Sequence, residues 1–245
     1  MNNENILSKI SKMSEEELID LAWNTSDVKI LNILAVNANY EVRCTVAESK
    51  NTPVELLAVL AKDEDYDVRT AVAANGNTPA NILTMLAKDK DGDVRIAVAN
   101  NRNTSVDVLV MLGSDKTWWV RSVVAGNINT PIELLSVLAQ DEHRFVRQTV
   151  AKNENTPKET LAVLADDCDL GVRQNVAGNK NTPKEALVKL AGDRDYGVRK
   201  AVVNNPNTSY NTLLMLSKVK AVEIREKAKE VLKERALKAN TNKER

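Results

Sequence analysis

The sequence predicts an all-α fold, an α-solenoid of about eight two-helix repeats closed by helical caps. Three observations carry that reading. Arginine recurs at one unvarying interval, at Arg43, Arg69, Arg95, Arg121, Arg147, Arg173, Arg199 and Arg225, and a period that never slips marks a stacked repeat. Within each period the apolar residues fall at helical spacing, with no alternating strand pattern. Each pair of helices is too short to bury its own apolar face, so neighbours on either side must cover it.

The elements follow in chain order. "MNNENILSKISKM" lacks an apolar core long enough for a signal peptide. "SEEELIDLAW" reads as a first cap, with Ser14 and Glu17 forming a capping box. Residues 1–23 are thus expected to be N-terminal capping helices, residues 24–217 the repeats, and residues 218–245 a partial repeat with a capping helix. The first repeat is irregular, since "WNTSDVKIL" has one extra residue before Ile30-Leu31. In "NTPVELLAVLA", Thr52 is expected to N-cap a helix, with Pro53 at its first position and Glu55 closing a capping box. The same box is legible at Thr130/Glu133, Thr156/Glu159 and Thr182/Glu185. Leu56, Leu57, Leu60 and Ala61 share one face of that helix. The second helix is the Val-Arg phrase, where Val68, Ala71 and Val72 share a face; its brevity allows a tight or 3₁₀ last turn. "VEIREKAKEVLKERALKA" from Val222 is a longer, charged helix suited to the last cap.

Lys plus Arg equals Asp plus Glu, 34 each, so no net field draws the chain to nucleic acid or membrane. The balance is unevenly spread: residues 1–117 hold 12 basic and 18 acidic side chains, residues 118–245 hold 22 and 16. That polarity makes self-association worth testing. Cys44 and Cys168 occupy different places in the repeat, so no disulfide framework is readable. No stretch approaches a membrane span. A soluble, cytoplasmic protein is expected.

Most of the chemistry-bearing residues are periodic, which points to scaffold. The arginines are expected to pair with the Asp residues just before them, as in "DEDYDVR", because Asp63, Asp89, Asp115, Asp141, Asp167 and Asp193 keep the same register. Asn75 and Asn77, with their equivalents, are expected to satisfy turn backbone groups. "DKDGD" at 89–93 has the opening of a calcium loop, but Asn100 stands where the loop needs Glu, so helix capping is expected instead. His143 is the only histidine, which excludes a multi-histidine zinc site. There is no Gly-rich phosphate loop, and a non-enzymatic protein without metal or cofactor is expected.

"VRTAVAANGNTPANILTMLAKD" resembles the leucine-rich repeat variant family, a relative in architecture of HEAT-like repeats. The resemblance covers about residues 24–226 and rests on the pattern VRxAVAxNxNTPxxLLxxLAxD. It implies a right-handed superhelix of alternating α and 3₁₀ helices. Members can carry a cysteine-rich iron–sulfur segment before the repeats; no such cluster is present here, so that cofactor does not carry over. The family implies no single activity.

Function is therefore sought where the repeat is broken. Two positions precede each Val-Arg. The first runs Tyr40, Tyr66, Gly92, Trp118, Arg144, Leu170, Tyr196, mostly bulky and expected to fill space between repeats. The second runs Glu41, Asp67, Asp93, Trp119, Phe145, Gly171, Gly197, Glu223, and is expected to face water. Trp119 and Phe145 break that rule, and helical spacing places Ser122, Gln148 and Lys152 on the same face. An aromatic centre in a polar surround suits recognition of a protein or peptide, with Trp119 and Phe145 as anchors helped by Trp118. Asp67 and Asp93 on one side, and Lys152 on the other, would set orientation. The alternative is nucleic-acid binding through the basic half and Lys227, Lys229, Lys233, Arg235, Lys238 and Lys243. A remoter alternative is a HEAT-like DNA glycosylase, on the faint likeness of "SDKTWWVR".

Overall fold

The period of the sequence leaves room for two short helices and two turns, and these form throughout. The computed structural model describes residues 3–241, with side chains from 7 to 237. Among them every regular element is an α-helix and there is no strand. The helices divide into two compact units, Met1–Thr130 and Pro131–Arg245.

In the first unit, α1 (Asn3–Ile10) and α2 (Glu15–Asn24) precede the repeats. Ser14 and Glu17 make the expected capping box at α2. The Leu helices α3 (Val28–Leu34), α5 (Val54–Leu60), α7 (Ala80–Leu86) and α9 (Val106–Leu112) alternate with the Val-Arg helices α4 (Tyr40–Glu48), α6 (Tyr66–Ala74), α8 (Gly92–Asn100) and α10 (Trp118–Gly126). Successive Val-Arg helices pack on one another. Leu57, Leu83 and Leu109 are fully buried beside Val68, Val94 and Val120, each contributing about 1.5–3 kcal/mol relative to exposure. The core is aliphatic because every repeat must fit the next with the same few side chains.

The second unit continues the pattern. Its Leu helices are α11 (Ile132–Leu138), α13 (Lys158–Leu164), α15 (Lys184–Leu190) and α17 (Tyr210–Leu216). Its Val-Arg helices are α12 (Arg144–Lys152), α14 (Leu170–Gly178) and α16 (Tyr196–Asn204), and α18 (Val222–Thr241) packs against α16 and α17. Arg235 of α18 donates to the carbonyls of Thr208 and Pro206, closing that end. No helix among the described residues is long and apolar enough to cross a membrane.

Three details differ from the sequence expectations. The Val-Arg helix is the longer of the two, nine residues against seven, and is α rather than 3₁₀. Its first turn is secured by an Asp cap: Asp65 Oδ1 accepts from Asp67 N and Asp91 Oδ1 from Asp93 N, both at 2.8 Å. Next, Thr52 does not cap. Pro53 takes the N-cap position with extended ψ and no side-chain acceptor, while the buried Thr52 hydroxyl donates back to Val46 O. Thr130, Thr156 and Thr182 do likewise, so the boxes with Glu133, Glu159 and Glu185 are not made. A buried hydroxyl beside the free carbonyls of a helix C-terminus is better satisfied as a donor.

The third correction concerns the arginines. Five of them reach forward to a carboxylate of the next repeat rather than back to that of the Asp before them. Arg69 Nε and Nη2 hold Asp89 at 2.7 and 3.1 Å, and Arg43, Arg95, Arg147 and Arg173 hold Asp63, Asp115, Asp167 and Asp193 in the same bidentate way. Nη1 of Arg69 turns to its own loop, donating to the carbonyls of Asp63 and Glu64. Asparagines run a parallel ladder, Asn75 Nδ2 donating to Ala47 O at 2.7 Å and Asn101 Nδ2 to Ala73 O at 2.7 Å. Within each unit, both ladders bind a repeat to the one before it.

Candidate functional site

The candidate residues fall in both units. In the first, Asp67, Asp93 and Trp119 occupy one equivalent position at the start of α6, α8 and α10. Asp67 is half-buried, Asp93 exposed, and Trp119 is 54% exposed. The expectation that this position faces water holds, and Trp119 is out of place there in chemistry but not in orientation. Trp118 is half-buried, with its ring centroid 5.0 Å from that of Trp119 and the planes tilted by 44°. Ser122 lies half-buried nearly one turn further along α10.

Beside them the Val-Arg helices enclose a groove of about 490 Å³, lined by Thr70, Ala74, Asp93, Ile96, Ala97 and Val123 among others. Val123 is one turn beyond Trp119 on the same helix. Its lining is half apolar, with Asn100 and Asn101 beside Thr70, and its charged member is a carboxylate. Thr70 Oγ1, closed off from water, has no hydrogen-bond partner.

The local field is negative. Tyr40 and Tyr66 hydroxyls are pushed up, first by Glu41 and Asp67 respectively, then by burial and by further carboxylates that for Tyr66 include Asp91 and Asp93. The Cys44 thiol is pushed up to about 12 by burial together with Asp67, Asp65 and Glu48. These tyrosines do not fill space between repeats as expected: Tyr40 is 41% and Tyr66 44% exposed. They stand at the first residue of α4 and α6. Sequence reasoning assigned these two tyrosines to packing, whereas Trp119, at the neighbouring position of its own repeat, was read as an anchor.

Phe145, Gln148 and Lys152 belong to α12 of the second unit. Phe145 is 40% exposed, with the Arg144 guanidinium 4.9 Å from its ring centroid. Gln148 Nε2 donates to Asp169 Oδ1 at 2.7 Å, so its amide is already engaged. Gly171 leaves room for it, since a Cβ there would collide with Gln148 Nε2. Lys152 is exposed and lines a polar groove of about 400 Å³ with Glu154, Gln174, Asn175 and Lys180.

The alternatives meet less favourable geometry. Asp115, the carboxylate of "SDKTWWVR", has both oxygens engaged by Arg95 and one also by Thr117 N. Burial opposes its ionisation, but these bonds outweigh burial and hold the carboxyl below its usual range. Asp89 and Asp91, the calcium-like pair, are likewise spent on Arg69 and on capping α8. On α18, Lys227 and Lys229 pair with Glu230 and Glu226, and Lys200 of α16 pairs with Glu223. Lys233 is exposed, the Lys238 side chain is not described, and Lys243 lies outside the described residues.

A second feature went unread in the sequence. Val59, Met85 and Met111, at one position of α5, α7 and α9, are 60%, 41% and 40% exposed. Their recurrence at the repeat period was the available signal. A hollow of about 940 Å³ includes Val59, but its most deeply set charges, Arg43 and Asp63, are paired with each other.

Residues 170–195 match the family described as leucine rich repeat variant. Among solved structures, the chain is similar to one described as a leucine-rich repeat variant with a novel repetitive protein structural motif. The two share 30% identity over 87% of this chain and 81% of that one, with a TM-score of 0.64. It is also similar to YibA of Escherichia coli, at 18% identity over 95% and 97% of the two chains and a TM-score of 0.50. A HEAT-like repeats protein from Thermococcus onnurineus aligns at 16% identity over 90% and 96%, with a TM-score of 0.33. No curated protein matches the chain.

Proposed function

Since this chain belongs to the leucine-rich repeat variant family, a kinship that supplies architecture and no activity, we propose that it is a non-enzymatic scaffold binding another protein or a peptide through the Val-Arg-helix face. One observation carries the reading. Trp119 is more than half exposed at a position where the two preceding repeats place a carboxylate, one helical turn before Val123, which lines a groove. A large exposed aromatic in a polar surround is the composition of a binding hot spot. Ser122, Asp67 and Asp93 are the further candidates on the first unit, and Phe145, Gln148 and Lys152 are the candidates on the second.

A cytoplasmic setting accords with two unpaired thiols, Cys44 and Cys168. Nucleic-acid binding draws less support, because several basic groups of α16 and α18 are paired with glutamates. The test is affinity capture from the protein's own cells with the parent and with Trp119→Ala, both shown equally helical by circular dichroism. A protein captured by the parent and lost with the variant is the expected result. Equal capture by both would reduce Trp119 to packing, and nuclease-sensitive capture would favour the alternative.

A further inference from the structure

The Val-Arg helices of the first unit carry an uneven distribution of charge. Their sequences are YEVRCTVAE, YDVRTAVAA, GDVRIAVAN and WWVRSVVAG, in which every basic residue is an arginine of the ladder. Arg43, Arg69 and Arg95 are buried and spent on Asp63, Asp89 and Asp115. Lys50, Lys62, Lys88, Lys90, Lys116 and Arg102 lie in the turns, outside these helices. The charges the helices show to solvent are Glu41, Glu48, Asp67 and Asp93. None of the four is in an ion pair among the described residues.

Three partly exposed aromatics stand among these carboxylates, Tyr40, Tyr66 and Trp119. The groove alongside has a mixed lining in which Ala74, Ile96, Ala97 and Val123 supply apolar surface, Thr70, Asn100 and Asn101 are polar, and Asp93 is the charged member. Aromatic faces attract cations through their quadrupole. Carboxylates attract them by charge, and apolar surface accepts the methylene stem of a long basic side chain. Arginine and lysine meet all three demands at once, whereas an acidic or purely apolar segment meets only one.

We propose that the first unit's Val-Arg face binds an extended peptide segment bearing arginine or lysine, its cationic heads lying among Asp67, Asp93, Tyr66 and Trp119 and its aliphatic stems on the apolar surface of the groove. This rests on the reading of the same face as a protein-binding surface and names the chemistry of the partner. Spacing adds a requirement. Helices α6 and α8 pack directly, and packed helices lie about 8–10 Å apart. A polyproline-type segment rises about 3.1 Å per residue, so basic residues three apart match successive repeats.

The probe is a short peptide with arginine at every third position and alanine or proline between. Controls are the same peptide with glutamate or glutamine for arginine. Binding is followed by calorimetry and by tryptophan fluorescence, at low and high salt. The arginine peptide is expected to bind the full chain, with affinity falling as salt rises, and the controls to bind at least tenfold more weakly. Asp67→Asn with Asp93→Asn is expected to lose at least tenfold in affinity for the arginine peptide. Neither residue supplies the capping side chain, which comes from Asp65 and Asp91, so helicity should be retained. Trp119→Ala provides a second variant that leaves the carboxylates in place and should also weaken binding.

Equal binding of arginine and glutamine peptides would overturn the proposal, as would full affinity in the double carboxylate variant. A chain that dimerises through this face, with the dimer lost in that variant, would overturn it in favour of a second copy as occupant. Should the arginine peptide fail to bind while Trp119→Ala still abolishes capture of a natural partner, the proposed cationic chemistry falls and the binding face stands.

Discussion

Replacing Asp89 by asparagine isolates the charge of one rung of the arginine ladder. Asp89 Oδ1 also accepts from Asp91 N at 2.9 Å, a bond that shapes the turn. Asparagine keeps that bond, and the chain holds its own control, because Asn37 stands at the equivalent position and accepts from Asn39 N at 2.8 Å. What Asp89→Asn removes is the negative charge and the Oδ2 acceptor of Arg69 Nε, where an amide NH2 would now face a donor, while Oδ1 can still accept from Nη2. The two side chains are 8% and 10% exposed, so the guanidinium cannot turn to water. Removing one partner of a buried pair costs about 3–5 kcal/mol, and the amide oxygen that remains places the expected loss at about 3 kcal/mol. Urea unfolding followed by helical circular dichroism measures it. Combining Asp89→Asn with Arg69→Met should cost clearly less than the sum of the two, since no charge is then left uncompensated. A loss below about 1 kcal/mol, or strict additivity, would refute the ladder as the bond between repeats.

Other outcomes follow from the same contacts. Asp63, Asp89, Asp115 and Asp167 are buried, which opposes ionisation, yet their arginine and backbone hydrogen bonds prevail and hold each carboxyl low; at Asp193 the Arg173 bond is the largest influence and has the same effect. Depressed carboxyls contribute stability above the unfolded value of about 3.9 and lose it as pH falls through the folded values. The urea midpoint should hold from neutral pH to about 5 and drop below about 4, with a shallower drop in Asp89→Asn. At the end of the ladder Arg199 donates to the carbonyls of Asp193 and Arg194 at 2.6 and 3.0 Å but meets Val219 where the other rungs have Asp. Val219→Asp should add about 1 kcal/mol, a rise of roughly 2–4 °C in a thermal melt. Two threonines should respond with opposite sign: Thr78→Val loses the buried 2.6 Å bond to Val72 O and about 1–2 kcal/mol, while Thr70→Val removes a hydroxyl without a partner and should be neutral or stabilising.

The repeat, its two helices and their buried faces were legible because period and spacing depend on backbone geometry alone. The partner of each arginine was not. Asp63, just before Arg69, and Asp89, most of a repeat beyond it, belong to one column, so the sequence offers both equally. Only the direction of the side chain across the stack separates them. The Thr-Pro-x-Glu signature misled for a local reason: Pro53 has ψ near 155°, which delays the helix by one residue and leaves Thr52 buried, facing a carbonyl. At the candidate site, Trp119 was visible as a break in a column. The row of Tyr40 and Tyr66 was not, because a recurrent bulky type in a repeat reads as filling until its exposure is known. The division at Thr130 and Pro131 falls inside an ordinary Asn-Thr-Pro turn, where composition does not change.

The forward reach of the arginines has a genetic consequence. Excising residues 70–95 would bring Asp115 to the separation from Arg69 that Asp89 now keeps. The same cut would bring Asn101 to the distance from Ala47 that Asn75 spans today. The Arg–Asp and Asn–carbonyl links at that junction re-form with the equivalent residues of a new neighbour, provided the cut removes a whole number of repeats. A single misplaced codon breaks both ladders together. Such a chain can gain or shed internal modules by unequal recombination without inventing any new sequence, while Asn37 and Val219, the uncharged terminal rungs, mark where that exchange must stop.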